Sequence, residues 1–350
     1  MVNSLNIHNF RCFREASLGS LRQFNIIVGD NGSGKTSLLE AIFLLASASP
    51  GGWFKLRFWR GLSQTIKLTG TRSSYESIFR DLFHNFNSDA GTSISMVDSN
   101  SGRRSLNISY SGRRTYKLPS GGRVDNVYLI EPIVFHWRLK DRSFKTKVVV
   151  SPKDGTLQIE GEREVYPAWF SSPAIPEGQN AAYMFSEMSQ QNKSGPLVSL
   201  LCSVFPQVKA VTLESVAGEL VVCVQMDHLN EKLPIGSVSA GISKFFSIVV
   251  AIASNHDGVL LIDEFEEGFY YDHIPVLLEK ICSFCEECNV QFFASTHSYE
   301  FLQRMLPVFK KREGTPAQFA LIRATRDTDQ CRLTTVGDPS AAIENDLEVR

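Results

Sequence analysis

The chain has almost no net charge. Lys and Arg number 36 against 37 Asp and Glu, leaving a formal charge of -1, whereas sequence-independent nucleic-acid binding rests on a basic footprint. The local exceptions are Lys55, Arg57 and Arg60, and the pairs Arg103-Arg104 and Arg113-Arg114; each reads first as solvated surface. No uninterrupted apolar run reaches the length that a membrane-spanning helix needs. The opening Met1-Val2-Asn3-Ser4-Leu5-Asn6-Ile7 lacks the basic and apolar stretches of a signal peptide. Seven scattered cysteines do not form a disulfide framework. These absences lead us to expect a cytoplasmic protein with no membrane association. Sustained heptads, internal repeats and low-complexity tails are missing too.

Against those absences stands an ordinary globular composition. Apolar residues make up 43% and charged residues 21%, enough for a sizeable core. A length of 350 residues suits one large α/β domain or two modest ones.

The most specific local signal is Gly29-Asp30-Asn31-Gly32-Ser33-Gly34-Lys35-Thr36, which satisfies G-x-x-x-x-G-K-[ST] at every constrained position. The apolar Phe24-Asn25-Ile26-Ile27-Val28 before it reads as a buried strand, and Ser37 to Ala46 after it as a helix with an apolar face. Glycines allow the backbone to approach a phosphate closely, and the helix N-terminus adds partial positive charge. Lys35 would neutralise the β- and γ-phosphates of ATP, and the Thr36 hydroxyl would coordinate Mg²⁺. Gly29, Asn31, Gly32, Ser33, Gly34 and Ser37 complete the expected nucleotide contacts.

A second apolar strand, Val259-Leu260-Leu261-Ile262, ends in Asp263-Glu264, and ligands of open α/β sheets bind at such carboxyl ends. Asp263 is the expected second Mg²⁺ ligand beside Thr36. Glu264 is the expected general base or water-orienting group. One helix later, Val290-Gln291-Phe292-Phe293-Ala294 leads into Ser295-Thr296-His297-Ser298. A histidine at that tip would sense the γ-phosphate, so His297 joins Glu264 and Lys35 as a candidate catalytic residue.

Between these halves the pattern changes. From about Gly61 to Glu164 the chain is rich in Ser, Gly, Arg and Thr, and predicts an antiparallel β region, with Asn85 to Arg104 as a mobile loop. Helices are predicted at Ala181–Met188, Pro196–Val204, Ala240–Ser254, about His273–Cys288 and about Tyr299–Phe309, with strands at Val208–Leu213 and Glu219–Gln225. This alternation predicts an α/β fold, a mostly parallel sheet wrapped by helices with an antiparallel β region and a helical subdomain inserted.

Together these segments resemble the ABC-type ATPase head of the SMC, RecF and OLD (overcoming lysogenization defect) group of AAA family ATPases. The likeness starts at Leu5-Asn6-Ile7-His8-Asn9-Phe10-Arg11-Cys12-Phe13 and runs through Asn25 to Ile42. It resumes at Leu260 to Gly268 and Phe293 to Ser298, and closes at Ala342 to Arg350. It implies a single head over 1–350, with a nucleotide core formed by 1–60 and 235–350 and the inserted β region and signature-side subdomain at 61–234. The signature segment of such heads corresponds to Gly236-Ser237-Val238-Ser239-Ala240-Gly241-Ile242-Ser243-Lys244, in which Ala240 and Ile242 depart from the stricter pattern. By that likeness Ser239 and Gly241 would touch the γ-phosphate held by a second copy, and Arg11 would contact the nucleotide. A homodimer or higher even oligomer follows.

The coiled coil of SMC proteins and the TOPRIM domain of OLD nucleases are absent from the pattern, so an effector, a nuclease or other toxin-like subunit, is expected as a separate polypeptide. The leading expectation is a regulatory ATPase in bacterial anti-phage defence. The alternative is a RecF-like repair ATPase, with DNA as its direct partner. Two further clusters read as core packing: Cys282, Cys285 and Cys288 on one helix, and the interleaved Trp53, Phe54, Phe58 and Trp59 among basic residues.

Overall fold

The computed structural model describes residues 1–62, 66, 72–99, 102–111, 114–117, 127–151, 156–162, 166–173, 178–315 and 318–345. Arg113 and the closing residues 346–350, named above, lie outside them. The chain divides into two compact units. The first comprises Met1–Arg22, Ile27–Ala168 and Ala320–Val336, and the second Gln23–Ile26, Trp169–Phe319 and Gly337–Arg350.

The first unit is built on a seven-stranded sheet. Its spatial order is Leu157–Gly161, Arg142–Val150, Ile133–Leu139, Gly102–Tyr110, Thr92–Asp98, Val2–Phe10 and Phe13–Leu18, with antiparallel neighbours throughout. Residues two apart on a strand share a face, and the apolar ones fall into register across the sheet. Ile7 opposes Ile94, Ile94 opposes Leu106, Leu106 opposes Trp137 and Trp137 opposes Phe144. All five are buried. On this face lies the helix Lys35–Ser47, packed against Thr92–Asp98 and Gly102–Tyr110. A hairpin of Phe319–Arg326 and Cys331–Val336, of which the first unit holds all but Phe319, packs its second strand beside Phe13–Leu18.

The antiparallel region expected from residue 61 onward is therefore present, and the N-terminal strands extend it into one sheet. The expected mobile loop at Asn85–Arg104 is a correction. Thr92–Asp98 and the start of Gly102–Tyr110 form paired strands in the middle of the sheet. Composition misled because turn formers dominate the segment, but Ile94 and Met96 alternate with small polar residues and bury completely on one face.

The second unit contains the parallel pair Val259–Ile262 and Gln291–Ser295, in register from Val259↔Gln291 to Ile262↔Ala294. Every residue of both strands is buried, which explains their continuous apolar runs. On one side, the Asp263 N–H donates to the Ser171 carbonyl. On the other, Phe292 N–H donates to Gln23 O and the Asn25 amide donates to Phe292 O. The strand Phe24–Val28 thus begins in the second unit and enters the first at Ile27. The unit also holds the helices Gly178–Gln190, Gly195–Val204, Ala240–Ser254, Ile274–Glu287 and Tyr299–Arg312, all at the predicted places. Ring contacts Phe185–Phe246 at 5.2 Å and Phe205–Phe245 at 5.6 Å join three of them. A small sheet of Val208–Val216, Glu219–Met226 and Leu233–Pro234 completes the unit.

Candidate functional site

The candidate residues fall into two groups, one in each unit. In the first, the loop Gly29–Gly34 leaves the strand Phe24–Val28 through three left-handed glycines, Gly29 at φ 140°, Gly32 at 78° and Gly34 at 101°. Two of them are required by contact as well as by dihedral. A Cβ on Gly29 would lie 2.1 Å from the Ala324 carbonyl oxygen, and one on Gly34 would lie 2.9 Å from the Cys12 sulfur. Within the loop, Ser33 N–H donates to Asp30 O at 3.2 Å. The ammonium of Lys35 turns back onto the loop, donating to Gly29 O at 2.6 Å and Asp30 O at 2.9 Å.

The loop therefore fits a phosphate group on several observations. The buried hydroxyl of Ser33 has no hydrogen-bond partner. The helix that follows carries no acid in its first turn and no side-chain cap, which leaves its N-terminal dipole open to an anion. Thr36 and Ser37 stand half-buried in that first turn, and Asn31 is exposed on the loop. Arg326 was not expected here; its guanidinium lies 3.5 Å from where a Gly32 Cβ would sit.

Arg11 has carboxylate and ring neighbours in the structure. Its side chain is buried, with Nε 2.9 Å from Glu40 and Nη1 3.6 Å from Asp81, under the rings of Trp53 and Phe10. Burial pulls its pKa down while the Glu40 charge pushes it back up. Glu40, on the loop helix, also receives both Nε and Nη2 of Arg60 at 2.7 Å. The aromatic and basic cluster at residues 53–60 is a helix, Gly51–Trp59, whose Trp53 is buried and whose Trp59 ring meets Phe43 at 5.1 Å.

In the second unit, Asp263 and Glu264 follow the strand Val259–Ile262, and Ser295 closes the neighbouring strand. The Ser295 hydroxyl donates to Asp263 Oδ1 and accepts the Glu264 N–H at 2.9 Å. Glu264 adopts φ 51°, a left-handed backbone that costs a side-chain-bearing residue about 1–2 kcal/mol. That conformation is held from three directions. Ser295 fixes its N–H, Lys244 Nζ donates to its carbonyl at 3.0 Å, and the next residue, Phe265, packs on Phe269, Phe292 and Phe301. Burial, first, and the charges of Asp263 and Glu267 raise the Glu264 carboxyl above its ordinary range, and His297 opposes them.

His297 is half-exposed, with Nδ1 3.5 Å from Glu266 Oε1, which also accepts the His297 N–H at 3.2 Å. The second oxygen of Glu266 is buried without a partner. Ser298 caps the helix Tyr299–Arg312 by accepting the Phe301 N–H. Ser239 is exposed and begins the helix Ala240–Ser254 without a side-chain capping bond. Gly241 packs so closely that a Cβ would lie 2.9 Å from Gly268 O.

The structure thus unites Asp263, Glu264 and His297 with the helix Ala240–Ser254 through Lys244 and Gly241, and groups Gly29 to Ser37 with Arg11 in the other unit. Sequence reasoning missed Lys244, Glu266, Arg326 and the role of the Ser295 hydroxyl. Lys244 lay inside the quoted signature segment and Glu266 two residues after Glu264, so only their contacts were hidden. Cys282, Cys285 and Cys288 are buried, and burial pushes the Cys288 thiol up to about 11 and the other two higher.

Oxygen donors such as the Thr36 hydroxyl and the Asp263 carboxylate suit a hard cation like Mg²⁺. Among the described residues no helix is long and apolar enough to cross a membrane.

The chain is similar to known proteins. The chain is 53% identical over 58 residues to the DNA replication and repair protein RecF of Idiomarina loihiensis, a match spanning 16% of each protein. It is 20% identical to an ATP/GTP phosphatase of Helicobacter pylori over 89% of this chain and 90% of that one. Its fold is shared with an Smc head solved bound to the C-winged helix domain of ScpA, at a TM-score of 0.52 and 13% identity, covering 97% of this chain and 99% of that one. These likenesses describe an SMC/RecF-like, ABC-type ATPase head. The family described as "AAA domain, putative AbiEii toxin, Type IV TA system" matches residues 24–303, and the chain belongs to that family.

Proposed function

We propose that this chain binds ATP with Mg²⁺, hydrolyses it, and uses ATP-dependent pairing of two copies to control a separate effector protein in bacterial anti-phage defence. The observation that carries the hydrolytic part is the setting of Glu264, a carboxylate on a strained backbone held by Ser295 and Lys244. Strain of this kind persists only where surrounding contacts enforce it, and it concentrates at functional positions.

In this reading the N–H groups at Gly32 to Gly34 bind the β-phosphate. Lys35 exchanges its loop carbonyls for phosphate oxygens. Thr36 and Asp263 would hold Mg²⁺, which supplies neutralising charge to the phosphates. Glu264 orients the attacking water and accepts its proton, and His297, steadied by Glu266, donates toward the γ-phosphate. Arg11, with its guanidinium on Glu40, braces the loop helix at the nucleotide. Ser239 and Gly241 offer a hydroxyl and an N–H to the nucleotide of a second copy, which links binding to pairing. The family description, which names a toxin of a type IV toxin–antitoxin system, supports the defence setting. Seven free cysteines suit the cytoplasm.

Glu264→Gln should keep ATP affinity, slow turnover by about 10²-fold or more, and shift the protein to a dimer with ATP in light scattering. Lys35→Ala should lose ATP binding. Normal hydrolysis by Glu264→Gln would remove the general-base assignment. The RecF match supports a second reading, direct DNA binding. Salt-sensitive DNA binding with DNA-stimulated hydrolysis would favour it over effector control; the net charge of -1 weighs the other way.

A further inference from the structure

The wall behind the phosphate loop contains two thiols. Cys12 stands between the strands Val2–Phe10 and Phe13–Leu18, and Cys331 opens the strand Cys331–Val336. Their backbones are joined by a 2.8 Å hydrogen bond from Cys331 N–H to the Cys12 carbonyl, and both side chains stand against Gly34. Both are free thiols; Cys12 is partly exposed and Cys331 is buried.

Each also touches the loop. Cys331 Sγ donates to the Gly32 carbonyl at 3.6 Å. A Cβ on Gly34 would lie 2.9 Å from Cys12 Sγ and 3.1 Å from Cys331 Cβ. Cys282 and Cys285, by contrast, are fully buried on one helix, away from any solvent-borne oxidant.

We propose that Cys12 and Cys331 form an oxidisable dithiol, a modification site where a hydroperoxide closes a disulfide and withdraws the wall from the phosphate loop. The sulfur of the partly exposed Cys12 attacks hydrogen peroxide, breaking the O–O bond and giving a sulfenic acid and one water. The Cys331 sulfur then attacks the Cys12 sulfur. An S–S bond forms, the S–O bond breaks, and the Cys331 proton leaves with the hydroxide as a second water. Two thiols lose two electrons and the peroxide gains them. Cys331 is buried and Cys12 partly exposed, which makes Cys12 the point of entry.

A disulfide holds its sulfurs at about 2.05 Å, closer than any hydrogen-bonded pair of thiols. Closure draws Cys331 toward Cys12 and consumes the S–H that serves the Gly32 carbonyl. A loop left with an unpaired carbonyl and a shifted wall binds phosphate less well. The consequence for nucleotide rests on reading this loop as the ATP site.

The test uses the purified full-length protein, treated with hydrogen peroxide and divided. Non-reducing peptide mass mapping should find a Cys12–Cys331 cross-linked pair lighter by two hydrogens. A fluorescent ATP analogue should bind about tenfold more weakly and recover with dithiothreitol. Cys12→Ser and Cys331→Ser should each bind the analogue independently of peroxide. Absence of the cross-link, or a cross-link that leaves affinity unchanged, overturns the proposal. A reduced protein that binds no analogue overturns the nucleotide reading instead, while the mass map still decides the fate of the dithiol.

Discussion

Glu264 carries opposing demands. As the proposed base it must be ionised, yet burial and the charges of Asp263 and Glu267 favour its protonated form. Turnover should therefore fall on the acid side at a higher pH than an ordinary glutamate near pKa ~4.3 would allow. Removing one of those charges tests the sign. Glu267→Gln takes away a repulsion, so the pKa falls and the acid limb of kcat moves to lower pH. Superimposable acid limbs for the two proteins would show that Glu264 does not set that limb. Glu267 offers its carbonyl, not its carboxylate, to Lys244, so the substitution leaves that clasp intact. What the sequence made legible at this scale was residue type and local order. Asp263-Glu264 stood out because an apolar strand points at it. The Ser295 hydroxyl, Lys244 and Glu266 did not, because their roles arise from contacts with residues far away in sequence.

Among the elements, the phosphate loop shows how much a motif leaves unsaid. Its glycine spacing is visible in the chain, but the wall that makes Gly29 irreplaceable is Ala324, on a hairpin that the sequence reading did not assign. Gly29→Ala should thus do more than weaken ATP binding. A methyl 2.1 Å from a backbone oxygen forces the hairpin or the loop to move, and overpacking of this sort costs about 1–3 kcal/mol. A melting temperature several degrees lower without nucleotide is expected. An unchanged melting temperature would mean that the hairpin yields freely. The segment Asn85–Arg104 makes the complementary point. Its serines and glycines suggested irregular chain, whereas two buried apolar positions with a period of two, Ile94 and Met96, decided for a strand. Where a face is buried, periodicity outweighs composition.

For the whole molecule, the exposed Ser239 is the position that distinguishes pairing from binding. It starts its helix without capping it, so substitution there costs the isolated chain little. Ser239→Arg places a long cation where a second copy's nucleotide would dock. ATP affinity of the single chain should stay within about twofold, while the ATP-dependent dimer of Glu264→Gln should disappear from light scattering in the double variant. A dimer that persists would move the contact elsewhere. The helices were legible at this scale because each repeats its own period over ten or more residues. The joining of the N-terminal strands with those after residue 90 was not, since strand partners far apart in sequence leave no local mark.

The loop's wall has a consequence for the order of synthesis. Ala324, Arg326 and Cys331, which stand against Gly29, Gly32 and Gly34, leave a ribosome well after the loop they flank. A nascent chain therefore displays the complete phosphate motif before this side of its wall exists. Chains fold vectorially as they emerge, yet this loop must wait for the hairpin before its glycines meet the surfaces that shape them. On the nucleotide reading, competence then waits for a hairpin made long after the motif itself.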